Sequence, residues 1–440
     1  MNTTMPSEPT RSPISWVPSL YFVQGLQFFV VMLIAGLMFK NMGVANDQIT
    51  RWTGVLGLAW AFKPLWSPFL ELARSKKAMV VLFQFTGAVG LALLALAIQL
   101  PMFFAASIAV LFLLAYASAT HDIVCDGLYM ASLSPKLQAA YAGWQGAFFN
   151  ASKFLTLGGL LVLAGHLERD FGVHNAWSAI FALLAVTLAA LAGYNAWALP
   201  NTMRADAVPL RADAVLRTLR DVLADFLRKP GIWTAILFIV LFRLAEGQVQ
   251  TIGPLFLIEP RASGGLGLST EQVGGIYGTV GTAAFLLGSI IGGYFTAWLG
   301  LKRAMFFLIL AMAVPNATFY YLSTTLPTDL LHTGVAVSIE MFGYGFGFVG
   351  MILYLMQAVA PGNFQTAHYA LGTGVMQLGF ILSKTISGDI QVALGYQHFF
   401  LWTMACGVPA LGLMFFVHIP SAANTAEAAG ASGPAVEKTA

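Results

Sequence analysis

Long apolar runs follow one another along almost the whole chain, and each can cross a membrane as a helix. About 20 apolar residues span the hydrocarbon core of a bilayer. Helices and closed barrels alone satisfy their backbone in lipid, and these runs lack the alternation of barrel strands. Only 9% of the residues are charged, against about 25% in soluble domains. We therefore predict an all-α membrane protein with twelve spans, at 15–39, 50–71, 78–99, 102–131, 138–165, 175–199, 231–258, 271–299, 303–324, 328–359, 365–393 and 397–419.

One long polar connection, 200–230, divides the spans into two sets of six. It carries six basic residues among four aspartates. Its apolar residues have the spacing of a surface helix, at Leu216, Leu219, Leu223 and Phe226. We predict an N-terminal six-helix bundle over 15–199 and a C-terminal one over 231–419. The ends, 1–14 and 420–440, are predicted to be tails, the second disordered because it is rich in alanine and glycine.

Lysine and arginine are distributed unevenly between the two sides of the predicted membrane. Fourteen fall on the side of the two termini, and four on the other side, namely Lys40, Arg51, Arg169 and Arg261. Because cytoplasmic loops carry the excess of basic residues, we predict that both termini are cytoplasmic.

A small set of charges lies deep inside the spans. A charge at membrane depth costs a few kcal/mol even on lenient scales, so each is a candidate for a functional role. Asp122 and Asp126 lie one helical turn apart in the fourth span. The other anions are Glu246 and Glu340, and the cations are Lys63, Lys153, Arg243 and Lys384.

A structural reading of these charges stays open beside the functional one. Buried charges survive by pairing, and Arg243 and Glu246, three residues apart on one helix, could neutralise each other. Lys63 is near enough to the predicted cytoplasmic surface to reach it. Asp126 is about one turn from that surface, where a gate would lie. The functional reading is favoured because acids recur in spans four and ten, and lysines in spans five and eleven.

Two turns resemble the turn that the major facilitator superfamily places between the second and third helices of each half. They are SPFLELARSKK (67–77), with Glu71 in the acidic place, and GYFTAWLGLKR (293–303), with Ala297 there instead. The resemblance implies two six-helix halves that rock about a central site. It also implies that helices 1, 4, 7 and 10 line the cavity.

Further segments are similar to those of AmpG-type muropeptide permeases. They are FKPLWSP (62–68), SATHDIVCD (118–126), LFRLAE (241–246) and IEMFGYGFGFVG (339–350). The resemblance implies an inner-membrane carrier that imports a bulky, polar, often anionic solute, such as an anhydromuropeptide, with the proton gradient. Permeases of this type often carry two further helices after the twelfth, so a siderophore or another metabolite remains an alternative solute.

On this reading the deep charges take separate roles. A partly buried carboxylate can bind and release a proton near neutral pH, and nearby cations let that proton compete with an anionic solute group. We expect Asp122 to carry the proton, assisted by Glu340 or Glu246. Arg243, Lys153 and Lys384 are the candidate solute contacts, and Lys63, Asp126 and Glu71 the candidate gate or ion-pair residues.

Other classes of protein receive less support. His121 and Asp126 have the H-x-x-x-x-D spacing of glycerolipid acyltransferases, but this pair would lie inside an apolar span. A channel would need a continuous pore lining, and no phosphate-binding G-x-x-x-x-G-K-S/T loop occurs. We expect no enzyme activity, cofactor, metal site or nucleic-acid partner. The expected partners are a small solute, protons and the bilayer, and we expect a monomer.

Overall fold

The computed structural model describes residues 11–70, 75–133, 135–201, 212–362 and 364–419, and its secondary-structure elements are all helices. The helices of the first half are α1 (Pro13–Asn41), α2 (46–70), α3 (Lys76–Ala97), α4 (Phe103–Ser132), α5 (135–171) and α6 (Val173–Ala198). Those of the second half are α7 (Ile232–Ile258), α8 (Thr270–Leu299), α9 (Leu301–Thr325), α10 (Leu330–Val359), α11 (365–394) and α12 (396–413).

Nine of the described helices, α1 and α3 to α10, are long and apolar enough to cross a membrane. The other three predicted spans are helical as well but are not among these nine. Gly57 divides α2 into Asn46–Leu56 and Leu58–Leu70. Gly395 separates α11 from α12 because its φ of +72° is a left-handed conformation that favours glycine. The membrane crossing of α2, α11 and α12 therefore remains a prediction from the sequence.

The polar connection contains the predicted amphipathic helix, Ala212–Arg228, called here the linker helix. Val222 and Phe226 are buried, and Phe226 joins the apolar core of the second half. The Lys229 ammonium follows the helix and donates to the carbonyl oxygens of Val359 at 2.6 Å and Pro361 at 2.7 Å. The linker is thus fastened to the end of α10. The predicted tail 420–440 lies outside the described residues.

Two pairs of helices, α2 with α11 and α5 with α8, carry much of the packing between the halves. The approach is closest where glycines remove the side chain. A Cβ on Gly278 of α8 would lie 1.8 Å from the Leu157 carbonyl oxygen of α5, and one on Gly388 of α11 would lie 2.3 Å from Thr50 Oγ1 of α2. Both contacts require glycine, because real Cβ atoms do not approach other atoms so closely.

The two ends of the bundle differ. We call the end that carries Lys40, Glu168 and Glu259 the Lys40 end, and the opposite one, where the described chain begins and stops, the termini end. Toward the Lys40 end, buried apolar residues of both halves form one cluster, including Leu37, Phe256 and Phe400. Toward the termini end each half has a cluster of its own.

Ion pairs reinforce the contact at the Lys40 end. Lys40 pairs with Glu259, Arg51 with Asp389 at 2.6 Å, and Arg169 with Glu271 at 3.0 Å. In all three the cation comes from the first half and the anion from the second. The halves are therefore closed on each other at the Lys40 end.

Candidate functional site

The deep charges that the structure describes fall into two groups and one isolated lysine. Lys63, Asp122 and Asp126 lie within the first half, on α2 and α4. A second group lies between the halves, with Lys153 on α5, Arg243 and Glu246 on α7, and Glu340 on α10. Lys384 on α11 contacts neither group through a described hydrogen bond or ion pair. Glu71 lies outside the described residues.

Asp122 is held between two other helices of the first half. Its Oδ2 lies 2.9 Å from Lys63 Nζ, and its Oδ1 accepts a hydrogen bond from the Gln24 amide of α1. Lys63 therefore does not have to reach the membrane surface to find a counter-charge. The sequence reasoning missed Gln24, although a glutamine in an apolar span was an available signal.

Asp126, one turn along α4, has a different neighbour. The Tyr21 hydroxyl donates to its Oδ1 at 3.0 Å, and the Gln145 amide donates to that hydroxyl at 2.7 Å. The chain of contacts joins α4, α1 and α5 toward the termini end. The two aspartates thus have different hydrogen-bond partners, while Asp126 also interacts electrostatically with Asp122 and Lys63.

Arg243 and Glu246 contact each other, as their spacing predicts. Arg243 Nη1 lies 2.6 Å from Glu246 Oε2, and both residues are buried. The guanidinium also lies over the Phe380 and Phe348 rings, at 4.8 and 5.1 Å from their centroids. An aromatic face attracts a cation, so Arg243 is held by a carboxylate and two rings.

Glu340 is the deep acid with the least compensation. It is 2% exposed, and its Oε1 accepts one hydrogen bond from the Gln250 amide at 2.9 Å. The Tyr277 hydroxyl in turn donates to the side-chain oxygen of Gln250, Oε1, at 2.8 Å. Among the described residues, Glu340 Oε2 has no hydrogen-bond partner, and no cation lies within 4 Å of the carboxyl group.

Lys153 faces this group from the first half. Its Nζ lies 4.7 Å from the centroid of the Phe285 ring of α8, across the boundary between the halves. It interacts electrostatically with Glu246 and Glu340. The structure therefore brings together four of the predicted site residues, two cations and two acids, at the interface of the halves.

Lys384 lies elsewhere at the same interface. Its Nζ donates to the Met32 carbonyl oxygen of α1 at 2.7 Å, and the residue is buried. Asp122 and Glu340 are the acids of spans four and ten. They share no hydrogen-bond or ion-pair partner in the described contacts, because Asp122 contacts Gln24 and Lys63 and Glu340 contacts Gln250.

His121 does not act with Asp126. Its imidazole contacts the Gln84 amide at 3.0 Å and Cys125 Sγ at 3.2 Å. Asn195 of α6 extends this network by donating to Gln84 at 3.1 Å. The imidazole thus points into the core of the first half, and the H-x-x-x-x-D spacing does not produce an acyltransferase pair.

Comparison with known proteins agrees with this architecture. The family model for the Major Facilitator Superfamily matches residues 19–387. The anhydromuropeptide permease of Escherichia coli K12 is 26% identical over 407 residues, which are 90% of this chain and 77% of that protein.

Solved structures show the same fold. A mutant of the nucleoside transporter NupG superimposes with a TM-score of 0.69 at 18% identity, covering 91% of this chain and 98% of that one. A bacterial homologue of the human lysosomal transporter Spinster, in an inward-facing and unoccupied conformation, also gives 0.69, at 13% identity, covering 93% and 97%. The chain belongs to the major facilitator superfamily and is a multi-pass membrane transporter rather than an enzyme.

Proposed function

We propose that the protein is a proton-coupled importer of a bulky, polar, anionic solute, and that it works by alternating access in the inner membrane. The observation that carries the proposal is the group at the interface of the halves, where Arg243 pairs with Glu246, Lys153 interacts with both acids, and Glu340 has no cation within 4 Å among the described residues. A cation pair suits an anionic solute, and an acid without a counter-charge suits a transferable proton.

The two cations would bind the solute. Arg243 offers a planar set of N–H donors that matches carboxylate geometry, although Glu246 occupies part of it here. Lys153 has an aromatic ring as its close neighbour instead of an anion. A solute carboxylate between them would contact both halves, so that its binding depends on how the halves are arranged.

The acids would couple this binding to protons. A neutral Glu340 carboxyl is compatible with a single amide donor, whereas a buried carboxylate there lacks compensation. Protonation of Asp122 would weaken its ion pair with Lys63 and loosen α2 from α4. Glu246 would assist by giving up its ion pair with Arg243 when the solute carboxylate binds Arg243. Each step changes a contact that the described residues make.

The proposed orientation determines to which side of the membrane this conformation is closed. With both termini in the cytoplasm, the Lys40 end faces outward, and this conformation is closed to the outside. Lys63 and Asp126 lie toward the termini end and would then belong to the cytoplasmic gate, to which the sequence-based expectation adds Glu71. We further propose that one chain is the transporting unit.

The similarity to an anhydromuropeptide permease supports anhydromuropeptide as the first solute to test. Purified protein in proteoliposomes should accumulate labelled anhydromuropeptide when an inward proton gradient is imposed, and should lose accumulation when an uncoupler removes the gradient. A ferric siderophore serves as the parallel solute. Uptake that continues unchanged with the uncoupler would refute proton coupling. Uptake of the siderophore without uptake of anhydromuropeptide would refute anhydromuropeptide as the transported solute.

A further inference from the structure

Lys384 is a buried cation whose described hydrogen bond goes to the backbone of the opposite half. The residue is 4% exposed, and its ammonium donates to the Met32 carbonyl oxygen of α1 at 2.7 Å. An ammonium has three donors, and no carboxylate lies within 4 Å of this one in the described part of the chain. Such a charge is poorly compensated in a dry interface.

Met32 lies in an unusual part of α1. Residues Val30–Ile34 form a π-helical segment, in which the regular i to i+4 hydrogen bonds of the helix are interrupted. Such segments are rare and are frequently found at functional sites. The contact therefore joins a charged side chain of α11 to an irregular turn of α1, on opposite sides of the boundary between the halves.

The space beside this contact is too small for a solute. A cavity of about 30 Å³ is lined by Met32, Leu33, Thr53, Lys384 and further residues of both halves. Pockets for small-molecule ligands typically measure about 300–1,000 Å³. In this conformation Lys384 can meet a water molecule or the Met32 carbonyl oxygen, but not an anionic group of a solute.

Opening of the Lys40 end changes that situation. The halves move apart there in alternating access, and the two partners of this bond belong to different halves. We propose that Lys384 alternates between the Met32 carbonyl oxygen, when the Lys40 end is closed, and an anionic group of the solute, when that end is open. When the Lys40 end closes, the Met32 carbonyl oxygen replaces the solute anion as the partner of the Lys384 ammonium. The anion is then bound by Lys153 and Arg243.

This inference rests on the proposed function, and it adds a difference between the two faces of the membrane. Lys384 contributes to affinity for a solute that arrives from the Lys40 end. It contributes nothing to affinity for a solute that arrives from the termini end, because the Lys40 end is then closed and the Lys384 ammonium is bonded to the Met32 carbonyl oxygen. Arg243 and Lys153 are expected to matter from both faces.

The solute-free test measures which face reaches position 384. In a background without Cys125 and Cys406, Lys384→Cys should react with a membrane-impermeant thiosulfonate added at the Lys40 face. Reaction from the termini face alone, or no reaction in the folded protein, would overturn the proposal. A separate measurement adds labelled solute. Modification of Lys384→Cys by an aminoethyl reagent should restore uptake because it replaces the lost cation, whereas modification by a sulfonate reagent should not.

The solute test compares the two faces in vesicles of opposite orientation, with labelled anhydromuropeptide as the probe. Lys384→Gln keeps a donor for the Met32 oxygen but removes the charge. We expect its half-saturating concentration to rise about tenfold from the Lys40 face, the effect of one charge-assisted hydrogen bond, and to stay unchanged from the other face. Lys384→Met should behave in the same way.

Ser387→Ala is the matched control, because this buried hydroxyl one turn along α11 bonds only to its own helix in the described contacts. It should leave both faces unchanged. An equal effect of Lys384→Gln on both faces, or an unchanged half-saturating concentration from the Lys40 face, would contradict the proposal. If the wild type takes up no anhydromuropeptide, the proposed function fails, and the labelling result alone decides whether Lys384 leaves Met32.

Discussion

Replacing Glu259 by Gln removes the anion from the most buried of the three ion pairs at the Lys40 end. The Lys40 and Glu259 side chains are 9% and 15% exposed. The Tyr396 hydroxyl also donates to Glu259 Oε2 at 2.7 Å, and Lys40 donates to Asn46 Oδ1 at 2.9 Å. Glu259→Gln therefore leaves Lys40 enclosed with an amide oxygen as its remaining described partner in the closed conformation.

The exposure of each pair sets the expected magnitude. Removing one partner of a buried pair costs about 3–5 kcal/mol. Because the pair is partly exposed and Lys40 keeps its Asn46 contact, we expect the closed conformation to be destabilised by about 2 kcal/mol. This changes the equilibrium between the closed and open conformations about 30-fold. The Arg51 and Asp389 side chains are 53% and 48% exposed. Asp389→Asn should therefore cost at most about 1 kcal/mol, or about fivefold.

Thiol labelling measures this equilibrium. Thr53 is buried and lines the small cavity between the halves, so a cysteine there reacts only when the Lys40 end opens. Its labelling rate is proportional to the open population when opening and closing are fast relative to labelling. Glu259→Gln should accelerate labelling of Thr53→Cys far more than Asp389→Asn, its matched acid-to-amide control. Equal effects, or a larger effect of Asp389→Asn, would refute the reasoning from burial.

Three further substitutions test other parts of the account. Asp122→Asn should abolish gradient-driven uptake while solute exchange persists, and uphill accumulation by this variant would contradict a proton role. Gly278→Ala places a Cβ 1.8 Å from the Leu157 carbonyl oxygen, so it should hold α5 and α8 apart and accelerate labelling at position 53; slower labelling would contradict this. Lys229→Met removes an ammonium that fastens the linker to α10, and hydrogen exchange should become faster at that end of α10 but not at its start.

The apolar spans could be predicted from the sequence because lipid demands long apolar helices, and nine are confirmed as long, apolar helices. Sequence segments such as 62–68 and 118–126 also indicated the family. The interruption at Gly57 was not predicted, because hydropathy does not report a break within an apolar run. Contacts within one helix, as between Arg243 and Glu246, followed from spacing alone.

Contacts between helices were harder to predict. The partners of Asp122, Lys63 and Gln24, depend on how three helices are rotated, and a single sequence does not report rotation. Likewise, Lys384 was predicted as a solute contact, but its bond to Met32 joins α11 to α1 across the boundary between the halves, and hydropathy does not report which helices face each other there. The roles of these residues in transport remain proposals.

The ion pairs at the Lys40 end had a partial signal. Four cations were predicted on that side, and three of them, Lys40, Arg51 and Arg169, pair with anions of the second half. The fourth, Arg261, donates to the Leu326 and Pro327 carbonyl oxygens. Their acidic partners could not be matched in advance, because each pair joins distant parts of the chain.

The most direct test of the central claim is the accumulation ratio of Glu340→Gln under an imposed pH gradient. With one proton per solute, a gradient of one pH unit should drive about tenfold accumulation by the wild type. Gln fits the space of the neutral acid beside Gln250 but carries no transferable proton. We predict that Glu340→Gln still exchanges labelled for unlabelled solute and shows no accumulation. Accumulation equal to that of the wild type would contradict the account.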